Sequence, residues 1–423
     1  MKEDFLHYLW KFQKFSTGNL HTVEGEPLRI LDTGVHNFNE GPDFQMAQVE
    51  IDNQKWAGNV EIHINSSDWF AHGHEKDTNY DNVILHVVWE HDAKVPRKDA
   101  SFIPTIELKD KICLDTIQRY YQLISSEKKF IPSEAQFAEI PNDIFENWLH
   151  QMFLERLELK ADSVFEELKH TSNNWEAVLF RMLCKNFGLK LNGPSFLSIA
   201  KSFDYSIVRK CGDNTLKLEA ILYGQAGFLD QDISSQYYEL LQDSYAYAKI
   251  MYGISNEGVL PSKFFRLRPP NFPTLRLSQF AVLWTHKKFL FSKLMDAKTK
   301  EDYYDIFEVA ASEYWDIHYN FGVESNKRKK SLTKNFMDLL IINTVIPLKF
   351  TYMKYMGEVV LDELTQLALS IKAEKNTIIS KFKELRDFDD TAWHSQALLH
   401  LKSNYCTPFK CLQCEIGNYI LKQ

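Results

Sequence analysis

Residues 40 to 91 constrain the possible folds of this chain more than any other stretch, because their sequence pattern predicts three successive β-strands. Proline fixes φ at Pro42, so the sequence Gly41-Pro42-Asp43 is typical of a chain that turns into a strand. The segments FQMAQVEI and WAGNVEIHI, which flank the polar turn 52–55, predict a β-hairpin. The third segment, VILHVVW at 83–89, is apolar on both faces apart from its histidine and predicts a central strand.

One acid and one acid–base pair are expected to meet at an edge of this sheet. Side chains alternate along a strand, so Val60 and Ile62 face one way while Glu61 and His63 face the other way. Asp43 stands where the chain enters the preceding strand. The three polar side chains can therefore converge on one site.

Asp43, Glu61 and His63 have the chemistry that metal-dependent phosphodiester cleavage needs. Carboxylate oxygens bind hard divalent cations, which predicts Mg²⁺ or Mn²⁺ as the ion. Histidine is largely neutral near neutral pH and can accept the proton of an attacking water. We therefore expect Asp43 and Glu61 to hold the ion, and His63 to accept the proton or to orient the water.

This motif resembles that of the PD-(D/E)xK nuclease superfamily. Pro42-Asp43 corresponds to the PD element, Glu61 corresponds to the second acid, and His63 takes the place of the usual lysine. The resemblance implies a restriction-endonuclease-like α/β core and a nuclease that acts in DNA repair or processing. Because the lysine is missing, its role in such a site would pass to His63.

Within that superfamily, the chain is most similar to the very-short-patch repair endonucleases. Those enzymes carry a PD-F step and, further along, a histidine-rich segment that contains a tryptophan. The comparable residues here are Pro42-Asp43-Phe44 and the segment DWFAHGH at 68–74. This resemblance is confined to the strand-rich stretch of the chain.

His72 and His74, which are separated by one glycine, form a second metal-binding pattern with Asp77. Two histidines and a carboxylate can bind zinc or another transition metal, and His63 or His86 could complete the set. In a nuclease, we expect His72 or His74 to protonate the leaving oxygen or to contact the phosphate, with Asp77 orienting one of them. Outside a nuclease, the same set predicts a metal-dependent hydrolase of another class.

A purely structural interpretation of these residues stands beside the catalytic one. In it, Asp43 caps a turn, Glu61 and His63 point to solvent, and His86 is a histidine of the core. The chain would then be a non-catalytic helical scaffold whose β domain binds nucleic acid or a protein. The two interpretations differ in whether the carboxylates of Asp43 and Glu61 lie around one cleft.

The C-terminal sequence YCTPFKCLQC contains three closely spaced thiols, Cys406, Cys411 and Cys414. Three thiolates can start a zinc or iron–sulfur site, and His400 or Cys184 could supply a fourth ligand. Some PD-(D/E)xK nucleases carry an iron–sulfur cluster on C-terminal cysteines. The alternative is that these cysteines are reduced residues in a packed terminal segment.

Basic residues in the second half of the chain are candidates for contact with nucleic acid, since they could neutralise phosphates while neighbouring aromatic residues stack on bases. The candidates are Arg266, Arg268, Arg276, Lys327, Arg328, Lys329 and Lys330. The alternative is that the lysine run is a solvated loop and that the arginines bind carbonyl groups inside the protein.

Composition narrows the class of protein without deciding its function. The chain has 423 residues, 44% hydrophobic residues and a net charge of −8, which indicates a globular protein with no overall attraction to nucleic acid. No run of about eighteen apolar residues is evident, so we expect no membrane span and a cytoplasmic location. Six cysteines in a chain of this length do not make a disulfide framework.

The patterns along the chain predict an α+β protein, in which an N-terminal mixed β-sheet domain precedes a large irregular α-helical domain. The chain is predicted to have four parts. These are an N-terminal helix at 1–18, the mixed β domain at 19–110, a segment at 111–141 that contains a helix (111–126) and a linker, and the helical domain with the cysteines at 142–423. Taken whole, the chain also resembles an uncharacterised bacterial protein family of unknown function. That resemblance runs from FLHYLW to the terminal cysteines and implies no activity.

Overall fold

The protein, seen in a computed structural model, is described at residues 1–37, 39–124, 129–358 and 361–422. It divides into two compact units: unit 1 comprises Met1–Trp148 and Leu401–Gln423, and unit 2 comprises Leu149–His400. The coarse α+β prediction is confirmed, because a mixed sheet in the N-terminal part precedes many helices. The residues from 401 onward, which the sequence pattern assigned to the helical domain, group with the N-terminal unit.

Unit 1 contains the mixed sheet. The strands of the sheet are β1 (Leu20–His21), β2 (Pro27–Asp32), β3 (Val35–His36), β4 (Phe44–Ile51), β5 (Gln54–Asn65), β6 (Val83–Glu90) and β7 (Thr105–Glu107). In the described part of the chain these seven strands form one sheet in the order β1-β2-β4-β5-β6-β7, with β3 paired to β4. The pairs among β1 to β5 are antiparallel, whereas β6 runs parallel to both β5 and β7.

The central hairpin, β4 and β5, has the turn that its sequence favours. Asp52 and Asn53 have φ angles of 47° and 65°, a left-handed conformation that Asp and Asn tolerate better than most residues. This two-residue turn places Ile51 opposite Gln54 and so fixes the register of the two strands. The predicted hairpin is confirmed, and β5 begins inside the segment expected to form the turn.

Strand β6 is buried along most of its length, which confirms the predicted central strand. Because β6 is parallel to β5, the chain must cross over between them instead of making a tight turn. The crossover contains the short helix α2 (Asp68–Ala71) and two 3₁₀ turns, His74–Lys76 and Thr78–Tyr80. It begins at the carboxyl end of β5 and carries the histidines of the HGH sequence.

The other helices are α1 (Glu3–Lys11), α3 (Leu114–Ile124), α4 (Asn142–His170), α5 (Trp175–Phe187), α6 (Leu189–Lys201), α7 (Tyr205–Cys211), α8 (Thr215–Gln225), α9 (Gln236–Tyr252), α10 (Pro273–His286), α11 (Leu290–Asp296), α12 (Lys300–Phe307), α13 (Lys334–Leu340), α14 (Ile346–Met356), α15 (Leu361–Ser370), α16 (Thr377–Leu385), α17 (Ala392–Leu401) and α18 (Glu415–Lys422). Two short strands, β8 (His318–Asn320) and β9 (Val323–Glu324), pair in unit 2. Residues 125 and 126 of the predicted helix 111–126 lie outside the described residues.

Two other segments of unit 1 bear on the sequence predictions. The apolar side chains of α1 are buried, as its amphipathic pattern predicts, and Trp10 Nε1 donates to the Thr33 carbonyl at 3.0 Å. The segment predicted as a linker contains a 3₁₀ turn, Glu134–Glu139, whose Phe137 side chain is fully buried. A buried aromatic side chain fixes this segment to the core.

One stretch of unit 2, Lys334–Met356, is long and apolar enough to cross a membrane, contrary to the expectation from composition. It consists of α13, a π-helical turn at Ile341–Val345, and α14. However, 72% of its apolar window is buried inside the protein. This is the environment of a core helix in a soluble protein.

Gly58 gives a test of the packing between β5 and β6. A Cβ atom there would lie 2.5 Å from Ile84 Cγ2 and 2.7 Å from the Asn82 carbonyl oxygen. We expect Gly58→Ala to lower the free energy of unfolding by about 1–3 kcal/mol, because the backbone oxygen has no rotamer by which to move away. Denaturant unfolding of the full chain measures this change. Gly18→Ala is the control, since nothing lies within 4 Å of that position, and equal unfolding midpoints for both variants would contradict the prediction.

Candidate metal centre

Asp43 and Glu61 join the two strands of the central hairpin at its open end. Glu61 Oε2 accepts from the Asp43 amide at 3.1 Å, and Asp43 Oδ2 accepts from the Ile62 amide at 3.0 Å. Glu61 is only 4% exposed and His63 only 1%, so the interpretation in which both point to solvent is wrong. The two acids that the sequence singled out therefore lie together at one point of the sheet.

Three histidines converge beside Glu61. His63 lies on β5, while His72 and His74 come from the crossover, where Gly73 takes a left-handed φ of 74° that favours glycine. His63 Nε2 lies 3.0 Å from His72 Nδ1, and the potential ligand atoms of the three histidines all lie within 4.8 Å of one another. This geometry brings together the catalytic histidines that the sequence predicted.

Glu61 adds an oxygen atom close to two of the histidines. Its Oε1 atom lies 3.2 Å from His74 Nε2 and 3.5 Å from His63 Nε2. In a tetrahedral zinc site with bonds of about 2.0–2.1 Å, neighbouring ligand atoms are separated by about 3.3 Å. Three of the separations in this group, 3.0, 3.2 and 3.5 Å, lie close to that value. Glu61, His63, His72 and His74 are named below the histidine centre. The ligand atoms of the three histidines lie within 4.8 Å of one another and Glu61 Oε1 lies near two of them, so side-chain adjustment would bring the four to tetrahedral separations.

Buried aromatic residues hold the histidine centre in place. His63 Nδ1 lies 2.8 Å from Nε2 of His86, which is fully buried. If His63 donates this hydrogen bond, its Nε2 lone pair faces the centre, which is the role that outer partners of metal-binding histidines perform. Tyr80 stacks on His74 with ring centroids 3.8 Å apart, and the Trp69 ring meets both His63 and His74 edge-on.

Burial sets the charge of the centre when no ion is bound. Burial and then the nearby Asp43 raise the pKa of Glu61, so its carboxyl group favours the protonated form. Burial, followed by the neighbouring histidines with His86 first, lowers the pKa of His63 to about 2. Burial also lowers the pKa of His74. Neutral imidazole is the form that binds metals, so His63 and His74 are already in the binding form.

His7 of α1 is a functional candidate that the sequence analysis missed. Its Nε2 atom lies 3.1 Å from Asp43 Oδ2. Burial lowers the pKa of His7 and the contact with Asp43 raises it, and the net shift is upward. His36 lies near His7, with ring centroids 5.2 Å apart. A histidine within the apolar sequence FLHYLW was the one signal in the sequence that could have identified it.

A cavity of about 660 Å³ in unit 1, named below the α1 cavity, opens on the Asp43 side of this arrangement. Its lining includes His7 and His36, three lysines and two acids, so the lysines outnumber the acids by one: Lys2, Lys11, Lys410, Asp4 and Glu415. Lys2 and Lys11 come from the chain around α1, and Lys410 comes from the C-terminal segment. The cavity thus joins the histidine that contacts Asp43 to three side chains that carry positive charge.

The comparison with protein families agrees with the resemblance of the whole chain. A family model described as a protein of unknown function, DUF2851, matches residues 3–377. The chain belongs to the DUF2851 family. No curated protein and no solved structure matches it. The matched region of DUF2851 contains the entire histidine centre, His7 and Asp43, whereas the three terminal cysteines lie beyond it.

The remaining predicted metal ligands of this DUF2851 protein lie outside the centre. Asp77 is exposed, and its Oδ1 atom accepts from the Asn79 amide, so it caps a 3₁₀ turn. Cys406, Cys411 and Cys414 are buried free thiols whose pKa values are raised, mainly by burial. Among the described residues, metal-binding spacing is found at the histidines and not at these cysteines. A zinc or iron–sulfur site at the cysteines stays a prediction.

Two of the basic residues predicted to contact nucleic acid are buried. Arg276 donates to Gln279 Oε1 and Asn271 Oδ1 at 2.9 and 2.6 Å, and Lys330 donates to the carbonyl oxygens of Trp315 and Asp316. Both bind groups inside unit 2, so the prediction that they contact nucleic acid is wrong. The other five are exposed and stay predictions: Arg266, Arg268, Lys327, Arg328 and Lys329.

Proposed function

We propose that this protein is a metal-dependent nuclease, a hydrolase of phosphodiester bonds, whose active site is the histidine centre together with Asp43. The observation that carries the proposal is the position of Glu61. One of its oxygens accepts from the Asp43 amide, and the other lies 3.2 Å from His74 Nε2 and 3.5 Å from His63 Nε2. A scaffold without catalytic function does not require two acids and three histidines to converge in a partly buried site.

The strand arrangement around the site supports phosphodiester cleavage over hydrolysis of another bond. The resemblance to PD-(D/E)xK nucleases implies a restriction-endonuclease-like core, with both acids on a hairpin. Here Asp43 immediately precedes β4, Glu61 lies on β5, and β6 follows as a parallel neighbour after a crossover. The departure from the superfamily pattern is the missing lysine, whose position is occupied by a histidine of the centre.

The ligand atoms of the centre favour a transition metal. Imidazole nitrogen suits zinc and its neighbours in the periodic table, whereas Mg²⁺ prefers oxygen ligands. The three histidines therefore favour zinc. Two carboxylates alone would instead suit Mg²⁺ or Mn²⁺. A bound divalent cation would polarise a phosphoryl oxygen and neutralise the charge that develops there. Glu61, His63, His72 and His74 are the residues that would hold it.

We assign proton transfer to His7, which contacts Asp43 and is not one of the potential ligands. His63 lies among the potential ligands, so we assign it to holding the ion and not to accepting a proton. His7 contacts Asp43 and lines the α1 cavity, which lets it accept the proton of an attacking water while Asp43 orients its ring. Lys2, Lys11 and Lys410 in the same cavity would bind the phosphates on either side of the scissile bond, so binding should weaken with salt.

A cleavage assay tests the proposed function. Single- and double-stranded DNA and RNA are incubated with the full-length protein and Zn²⁺, Mn²⁺ or Mg²⁺. We expect cleavage of at least one substrate and a loss of about 100-fold or more for Asp43→Asn, because the neutral amide no longer orients a proton acceptor. Asp77→Asn is the matched control, since Asp77 is an exposed acid of the crossover that takes no part in the histidine centre.

The outcome separates the three classes of function. Cleavage that Asp43→Asn abolishes and Asp77→Asn preserves supports the nuclease. Hydrolysis of another ester with the same pattern of variants would instead indicate a metal-dependent hydrolase of a different class. If no substrate is cleaved with any of the three ions, the nuclease proposal fails and a binding scaffold becomes the better explanation.

A further inference from the structure

A second cavity, of about 550 Å³, lies beside the histidine centre in unit 1. Its lining includes His74, a member of the centre, and also Trp69 and Tyr80, the two aromatic residues that contact that histidine. A ligand in this cavity therefore lies next to any group bound at the centre. We propose that this cavity, named below the tryptophan cavity, binds a nucleobase of the substrate, an inference that rests on the proposed nuclease function.

The shape and surface of the tryptophan cavity suit a flat aromatic ring. Trp56, Trp69 and Tyr80 line it, and Trp56 is half-buried on β5. Stacking on aromatic side chains is the common way in which proteins hold unpaired bases, because every base has a π-face. The volume lies within the range of about 300–1,000 Å³ that is typical of pockets for small ligands.

The charges in the tryptophan cavity do not favour a phosphate. Lys98 is paired with Asp81 at 2.6 Å, and Asp99 Oδ1 accepts from both the amide and the hydroxyl of Ser101. Because Asp81 offsets Lys98, Arg97 is left with two acids, Glu75 and Asp99, so the lining has no excess of positive charge. A neutral polar ring is a better match for such a lining than an anion. The three lysines of the α1 cavity fit the phosphates instead.

Three polar atoms of the lining residues lack a partner inside the described part of the protein. Trp69 Nε1, Arg97 Nη2 and Glu75 Oε2 are each buried without a hydrogen bond. The first two atoms are donors and the third is an acceptor, while Arg97 Nη1 is anchored on the Val83 carbonyl at 2.7 Å. Buried polar groups are normally paired, so movement of these side chains toward a bound ligand would supply the missing bonds. The edge of a nucleobase presents both acceptors and donors.

In this proposal, the α1 cavity binds phosphates of the substrate and the tryptophan cavity binds a base. Phosphate contacts fix the position of a nucleic acid, and base contacts specify its sequence or its unpaired state. The α1 cavity, on the Asp43 side, supplies lysines, whereas the tryptophan cavity, on the His74 side, supplies aromatic rings. Because a base must leave its stack to enter a pocket, the substrate class is single-stranded or locally unpaired nucleic acid.

Isothermal titration of the metal-free full-length protein with nucleoside 5′-monophosphates tests the cavity without relying on cleavage. Ribose 5-phosphate, which has the phosphate but lacks the base, is the comparison ligand. We expect at least one nucleotide to bind roughly ten-fold more tightly than ribose 5-phosphate, and Trp56→Ala to remove that difference. Trp56→Phe should restore most of the affinity, because it retains an aromatic face.

Phe102→Ala is the matched control, since Phe102 is 51% exposed, lies on the same loop as Ser101 and Ile103, and does not line the cavity. Circular dichroism of each variant checks that the fold is intact. The inference is overturned if ribose 5-phosphate binds as tightly as every nucleotide, or if Trp56→Ala binds nucleotides like the unmodified protein. Either result would leave the nuclease proposal standing, whereas nucleotide binding without any cleavage would remove the nuclease proposal alone.

Discussion

Replacing Glu61 with glutamine is expected to reduce nucleic-acid cleavage by about 1,000-fold or more, which corresponds to about 4 kcal/mol of transition-state stabilisation. Glutamine has nearly the same shape, and its amide oxygen can still accept from the Asp43 amide as Glu61 Oε2 does. The fold should therefore survive. What is lost is the capacity of the carboxyl group, which lies close to the two histidine nitrogens, to ionise when an ion binds. Initial rates of cleavage at saturating substrate measure the effect.

Nucleic-acid affinity provides the second readout for Glu61→Gln. The lysines that we assign to phosphate contact lie in the α1 cavity and are unchanged, so salt-sensitive binding should stay within a few-fold of the unmodified protein. Glu50→Gln is a matched control, because Glu50 lies on β4 opposite Lys55 and takes no part in the histidine centre. Cleavage by Glu61→Gln at the rate of this control would exclude Glu61 as a functional residue.

The hairpin and the central strand could be predicted from sequence because their determinants are local. Alternation of apolar and polar residues and the Asp52-Asn53 turn are features of neighbouring positions. The parallel pairing of β6 with β5 depends on how the crossover packs, which no local pattern encodes. For the same reason, the sequence pattern assigned the residues of α18 to the helical domain, although they group with the unit that contains the sheet.

The candidate site could be predicted only in part, because some of its residues are far apart in the sequence. Glu61 and His63 are two residues apart on one strand, so their proximity follows from the strand itself. His7 lies on α1, which three strands separate from Asp43, and only the tertiary fold brings the two side chains within 3.1 Å. Lys330 shows the opposite failure: its sequence context indicates a solvated loop, yet backbone carbonyl groups bind it in the interior.

Removing a bound ion is expected to lower the thermal stability of unit 1 substantially. A ligand present at about 1,000 times its dissociation constant stabilises the folded state by about 4 kcal/mol, which corresponds to roughly 8–16 °C in Tm for a unit of this size. The histidine centre is built from two separate segments, β5 and the crossover, so an ion bound there links them only in the folded state. Differential scanning calorimetry of zinc-loaded protein, with and without a chelator, measures the shift.

His72→Asn separates this effect from a general loss of stability. His72 is exposed, so its replacement leaves no cavity in the core, but it removes one of the potential ligand atoms. We expect the variant to melt near the temperature of the chelated protein and to respond weakly to zinc. His21→Asn, on β1 of the same sheet, should keep the full response to zinc. A chelator that leaves the Tm of the unmodified protein unchanged would show that the four side chains bind one another and not an ion.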